Sequence, residues 1–344
     1  ALGRLVDLLG PSDLLTRVRA DWSRCVVRPD GQGDVEVKLV GTESDAASTP
    51  WLASRITREA IEGLAGRRLL FHAAGLADDD GRVVVLVGPS GAGKSTATSH
   101  LCRHHFGYVS DETVAVDREG VITPYPKPLL VRKVSARPKL VVGPDELQLR
   151  PHTPPLHAHR IDLLRRDGCQ PPRLYQVPLV ESVLALIPET SALARLPRPL
   201  QTLCRLIVDC GGAWALRYAE IADTTGLMTA LMDAQPTGPE EWSPIDLTPG
   251  CGVPARLADE AGAVRTAHVD DAVRVGEDIL LLHHGRPVHL RGIGATLWSA
   301  ARRGATQDEL QAVVTKTHGE HPDGERLVGG AVQTMVERGV LARV

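Results

Sequence analysis

The sequence predicts an α/β protein in which a buried strand feeds a glycine-rich turn and a helix, followed by a smaller C-terminal α+β unit. Three observations predict it. The apolar run Val83–Val87 opens directly into Gly88-Pro89-Ser90-Gly91-Ala92-Gly93-Lys94-Ser95, and helical spacing follows to about His105. Strand-like and helical runs alternate up to residue 235. Past a Pro/Gly-rich stretch at 236–265, the pattern becomes short strands followed by helices.

Taken in order, residues 1–50 read as short strands with turns, including a hairpin around Pro29-Asp30-Gly31. "PWLASRITREAIEGLAG" has helical spacing through Leu52, Ile56, Ile61 and Leu64, and stops at Gly66. Leu69–His72 reads as a strand hairpinned to Val83–Val87 across a DDDG turn. A strand at Tyr108–Val116 returns through a tight turn at Glu119-Gly120. Residues 151–176, rich in Pro, His and Arg, read as a long loop or lid. "VPLVESVLALIPE" reads as a buried strand, "RPLQTLCRLIVDC" and "TTGLMTALMDA" as helices, and "AWALRYAEI" as a strand between them. The expected organisation is a strand-rich and helical region at 1–66, a nucleotide-binding domain at 67–235, a linker at 236–265 and a last domain at 266–344.

Composition narrows the function classes. Hydrophobic residues make up 43% and charged residues 24%, as in ordinary globular proteins. The net charge of −3 without basic runs argues against nucleic acid as the main partner. Six cysteines lack CxxC spacing and read as reduced thiols. No apolar run is long enough for a membrane span, and the first residues lack a charged-then-apolar pattern, so a cytoplasmic protein is expected.

The chemistry centres on the glycine-rich turn, which fits GxxxxGK[ST] in full with a strand before and a helix after. Glycines let successive N–H groups converge on an anion, and the helix N-terminus adds a favourable dipole. Gly88, Ser90, Gly91, Ala92, Gly93, Lys94, Ser95 and Thr96 are the expected ATP-binding residues. Lys94 would reach the β- and γ-phosphates, and the Ser95 hydroxyl would ligate Mg²⁺. Asp111 and Glu112 follow Lys94 by only seventeen and eighteen residues. An acidic pair beside a strand is often a solvated turn. Within a strand, however, adjacent residues point to opposite faces, so one acid could face the phosphates while the other meets a neighbour. His72, sixteen positions before Gly88, follows three apolar residues. It reads either as a core histidine or as a group near the loop that touches a carboxylate.

"FHAAG", "GPSGAGKST" and "YVSDET" together resemble the HPr kinase/phosphorylase family, whose catalytic domain is similar to the nucleotide site of phosphoenolpyruvate carboxykinase. The resemblance spans roughly residues 65–235 and is strongest at 70–135. It implies a P-loop HPr-kinase/PEP-carboxykinase-like core in which Asp111, with Glu112 beside it, supplies the general base and a metal contact, and His72 tunes that base. The family usually carries two aspartates, and Glu112 in second place leaves open which acid does which job. The later signature used for dephosphorylation is absent, so phosphorylase activity is not expected. "PKPLLVRK" resembles a run in kinase-like relatives and makes Lys133 a candidate for contacting substrate, with Arg160 a second.

The last eighty residues resemble PqqD-like precursor-peptide recognition domains, through "DILLL", "GATLW", "GATQDEL" and "MVERGVL". Strands joined by turns at Gly276-Glu277-Asp278 and His284-Gly285 lead to a helix directing Ile293, Leu297, Trp298 and Ala301 inward. Thr306 and Glu309 form a capping box, and a final helix presents Leu327, Ala331, Met335 and Val336 on one face. Such a winged-helix-like α+β domain binds a leader peptide as an added strand. The resemblances imply an ATP-dependent kinase, similar to lasso-peptide tailoring kinases, acting on a Ser or Thr hydroxyl of a ribosomally made precursor peptide. The alternatives are an ATP-binding scaffold that presents the peptide without phosphotransfer, and a kinase acting on a folded carrier protein. A homo-oligomer is compatible with any of these.

Overall fold

A computed structural model describes residues 1–27, 33–38, 48–131, 140–235, 240–247 and 262–344. They form two compact units, one of residues 1–196 and 205–239, the other of residues 197–204 and 240–344.

The first unit begins with β1 (Val6–Leu9), α1 (Ser12–Asp21), β2 (Val35–Lys38) and α2 (Ser48–Leu64). β1 and β2 pair in parallel. Residues 12–21 are helical where the sequence suggested strands. Leu14 and Val18, four apart, are the buried pair that defines the inner face. The expected hairpin at Pro29-Asp30-Gly31 lies outside the described residues.

Next come β3 (Leu69–Phe71), β4 (Ala73–Ala77), β5 (Arg82–Val87), α3 (Lys94–His104), β6 (Gly107–Ser110), β7 (Val114–Val116), β8 (Ile122–Thr123), β9 (Leu129–Val131) and β10 (Leu140–Val142). The unit is completed by β11 (His157–Arg166), β12 (Arg173–Val177), α4 (Leu179–Leu186), β13 (Thr190–Ser191), α5 (Pro199–Asp209), β14 (Ala213–Tyr218) and α6 (Thr225–Asp233), with the start of α5 belonging to the second unit.

A six-stranded mixed sheet runs β12-β14-β11-β5-β4-β6, and a four-stranded sheet runs β13-β3-β7-β8. The chain passes between these sheets twice. β3 continues into β4 through His72, and β6 continues into β7 through Asp111, Glu112 and Thr113. Because β3 pairs with β7 and β4 pairs with β6, both antiparallel, the two crossovers lie opposite one another in one bent ribbon. β4 is antiparallel to β5, with Ala73 opposite Val87. His72, Gly88 and Asp111 therefore share one end of the large sheet.

Three readings are corrected here. Residues 151–176 are largely two strands, β11 and β12, in the large sheet. Ile161–Leu164 is the buried middle of a strand flanked by parallel neighbours, where alternation is lost and the polar ends dominate the pattern. "VPLVESVLALIPE" is mainly helix α4, with Leu179, Ser182, Val183 and Leu186 buried at helical spacing. The strand hairpinned to β5 is β4, while Leu69–Phe71 pairs with β7 and β13.

The second unit contains β15 (Trp242–Pro244), β16 (Val264–Thr266), β17 (Asp271–Val275), β18 (Asp278–His283), β19 (Arg286–Leu290), α7 (Ile293–Ala300), α8 (Gln307–His318), α9 (Gly324–Glu337) and β20 (Leu341–Arg343). Its sheet runs β15-β17-β18-β19, and β16 pairs with β20. Thr306 and Glu309 form the reciprocal capping box at the start of α8. Leu297, Trp298 and Ala301 are buried, as are Val328, Val332 and Met335 of α9. Leu327 is instead 41% exposed, while Ala331 and Val336 pack half-buried against the same core as Met335. Among the described residues, no helix is long and apolar enough to cross a membrane.

Candidate functional site

The loop from Gly88 to Gly93 joins the buried end of β5 to α3. Gly91 and Gly93 have φ of +91° and +99°, which L-residues with a Cβ adopt only under strain. Gly93 is the N-cap of α3 and provides no side-chain cap. The first N–H groups of α3 are thus left open to an anion. Tyr218 of β14 supports the loop from behind, its hydroxyl donating to the Ala92 carbonyl at 2.8 Å. Lys94 is buried, and its Nζ donates back to the carbonyls of Gly88 and Pro89. Burial lowers the Lys94 pKa, an effect that the charges of Glu189 and Asp111 oppose. Ser90 and Thr96 are exposed beside it.

Asp111 and Glu112 sit in the bend between β6 and β7 and not in a strand. They consequently do not point to opposite faces. Both reach one buried cation: Lys127 Nζ lies 3.0 Å from Asp111 Oδ1 and 2.9 Å from Glu112 Oε2. The Lys127 side chain is 1% exposed, and Nζ also donates to the Pro128 carbonyl at 3.0 Å. Its approach to Glu112 Oε2 is an ion pair by distance without good hydrogen-bond geometry, and Oε2 makes no directional bond. Tyr108 OH fixes this segment by donating to the Lys127 carbonyl at 2.8 Å. Burial, reinforced by the charge of Asp111, pushes the Tyr108 phenol well up. On the other side, Ser95 Oγ donates to Asp111 Oδ2 at 3.1 Å. Asp111 is thereby held between the first turn of α3 and Lys127.

Sequence reasoning missed Lys127. Its signal was present, since it is the lone charge in "TPYPKPLLV", between two prolines in an apolar run. Burial alone would lower its pKa, but the carboxylates of Asp111 and then Glu112 more than reverse this and raise it. A fixed cation between two acids is the arrangement expected when burial of charge must be compensated.

His72 is half-buried at the other crossover. Its N–H donates to the Glu189 carbonyl at 2.7 Å, and Ala73 N donates to the Glu112 carbonyl at 3.2 Å. The imidazole has no hydrogen-bond or ion-pair partner among the described residues. His72, Glu112 and Glu189 are therefore gathered by the ends of β3, β7 and β13. Glu189 was missed as well. It ends a short helical turn in "IPET", and only the pairing of β13 with β3 brings it here.

Arg160 is 8% exposed, and its guanidinium donates to four carbonyls: Leu231 at 3.1 Å, His159 at 2.9 Å, Cys210 at 3.1 Å and Ala234 at 2.8 Å. It ties together the ends of α5 and α6, and the expectation of a substrate contact is corrected to a structural role. Lys133 lies outside the described residues.

Ser95 and Asp111 offer hard oxygen donors of the type Mg²⁺ takes alongside phosphate oxygens. Among the described residues, no group of three or more His, Cys, Asp or Glu side chains forms a metal cluster. The described residues thus offer a partial shell, as is usual where substrate phosphates complete the coordination.

No known protein family and no curated protein matches this sequence. Among solved structures, the chain is similar to the HPr(Ser) kinase/phosphatase from Coxiella burnetii, at 12% identity and a TM-score of 0.28. The match covers 47% of this chain and 90% of that one. A likeness of that size carries no argument, and the functional reading rests on the geometry.

Proposed function

We propose that the chain is an ATP-dependent kinase that phosphorylates a Ser or Thr hydroxyl of a ribosomally synthesised precursor peptide. The observation that carries this reading is the Asp111 carboxylate held 3.1 Å from Ser95 Oγ and 3.0 Å from Lys127 Nζ, at the sheet end where the glycine-rich loop opens. Phosphoryl transfer asks little of a protein beyond positioning and charge stabilisation. The open N–H groups at the start of α3 and the Lys94 ammonium suit the β- and γ-phosphates. ATP with Mg²⁺ would supply the transferable group and neutralise its charge, with Ser95 and Asp111 as the protein's oxygen donors. Asp111 would accept the proton of the incoming hydroxyl, its carboxylate kept in place by Lys127. His72 and Glu189 would line the acceptor side.

The second unit would hold the leader. In its sheet β19 is an edge strand, paired only with β18, which supports addition of a peptide strand there. Tethering raises the local concentration of a weakly bound acceptor, so the kinase site need not bind the core peptide tightly. The test compares ATP binding and transfer to a peptide hydroxyl in the wild type and Asp111→Asn. Transfer lost with ATP affinity retained supports the reading. ATP binding without transfer in the wild type leaves the presenting scaffold in its place.

A further inference from the structure

The second unit contains a groove of about 830 Å³, within the range of ligand sites. Its walls are β16 and the turn after it, the end of α7 with the following helical turn, and Ala342 of β20. Arg265, His268, Arg302 and Arg303 line it, all four exposed, and no Asp or Glu is among its described lining residues. In a chain with a net charge of −3, this is a local reversal of sign. Arg302 donates to the Asp246 carbonyl, which anchors its side chain. Arg265 and Arg303 have no side-chain hydrogen bond or ion pair among the described residues.

Trp298 forms part of the groove wall but is only 1% exposed and packs into the core of the unit. The exposed polar side chains of the groove are therefore chiefly those of the three arginines and His268.

We propose that this groove binds an acidic peptide segment. Arg265, Arg302 and Arg303 would take its carboxylates, with the exposed His268 beside them. Planar guanidinium groups match carboxylates through paired N–H donors, which an ammonium does not. Nucleic acid fits less well. The net charge of −3 and the absence of basic runs leave the arginines without the extended cationic track that a phosphate backbone needs. The site is separate from the β19 edge and does not depend on phosphotransfer.

Exposed ion pairs are individually weak, so binding should require several arginines together and should weaken with salt. The probe is a fluorescein-labelled decapeptide alternating Glu with Ser, titrated with the full chain and followed by anisotropy. Saturable binding is expected, weakened about tenfold or more in Arg265→Glu/Arg303→Glu, whose exposed positions leave the melting temperature unchanged. Unchanged affinity in the charge-reversed variant, equal binding of a Lys-for-Glu peptide, or tighter binding of a single-stranded oligonucleotide of equal charge would each overturn the proposal.

Discussion

Replacing Lys127 with Met keeps the length of the side chain and removes its charge. Asp111 and Glu112 would then share a pocket with no counter-charge at 3.0 and 2.9 Å. At an effective dielectric of about 20, each such pair represents roughly 5 kcal/mol of gross attraction, most of it cancelled by the cost of burying the charges. Removing one partner of a buried network leaves that cost uncompensated and destabilises by about 3–5 kcal/mol. For a unit of this size, the melting temperature should drop by roughly 6–20 °C. The Lys127 pKa is raised in the folded state, so its contribution is complete below the ordinary lysine value and is lost only as pH rises past it. The difference between wild type and variant should therefore be flat between about pH 6 and 9. Urea denaturation of the wild type, Lys127→Met and the triple variant Asp111→Asn/Glu112→Gln/Lys127→Met closes the cycle. The triple variant should recover more than half of the loss, because nothing charged is left unpaired. A single variant within about 1 kcal/mol of the wild type, or a triple variant no better than the single, would refute the reasoning.

Three further outcomes are expected. Arg160→Met strands four carbonyls, two in buried and two in part-buried bonds, and should cost about 2–4 kcal/mol by urea denaturation, with nucleotide affinity unchanged. In Gly93→Ala, a Cβ would lie 2.8 Å from Tyr218 Oη at a φ of +99°, displacing the hydroxyl that holds Ala92. Titration calorimetry should show ATP affinity reduced about tenfold in a folded protein. Asp162 of β11 is fully buried with both carboxyl oxygens unpartnered, and burial raises its pKa well above the usual range. A raised folded-state value means that stability falls as pH rises above the unfolded value of about 3.9. Asp162→Leu should therefore melt higher than the wild type at neutral pH, and the gap should close toward pH 4. A gap independent of pH would contradict this.

Features carried by local chemistry were legible in the sequence. The loop, the helix behind it, the β17–β18–β19 turns and the Thr306 cap follow from glycine placement, apolar periodicity and reciprocal capping. Asp111 and His72 could be singled out, but not their relation, because it arises where one ribbon crosses between two sheets. What failed had lost its periodic signal. β11 is buried in its middle and polar at both ends, so it read as loop, and its Arg160 read as a substrate contact. α4 has apolar residues on most sides and read as a strand. Glu189 offered no local cue, since its position depends on the two-residue pairing of β13 with β3.

The central claim is phosphotransfer organised by Asp111 at the glycine-rich loop. The most direct measurement is intact mass spectrometry of a candidate Ser/Thr-containing precursor peptide, after incubation with the full chain, ATP and Mg²⁺. The account predicts a mass gain of one phosphoryl group, placed on a Ser or Thr, and no gain with Asp111→Asn. A precursor of unchanged mass despite bound ATP, or a gain that persists in Asp111→Asn, would contradict it.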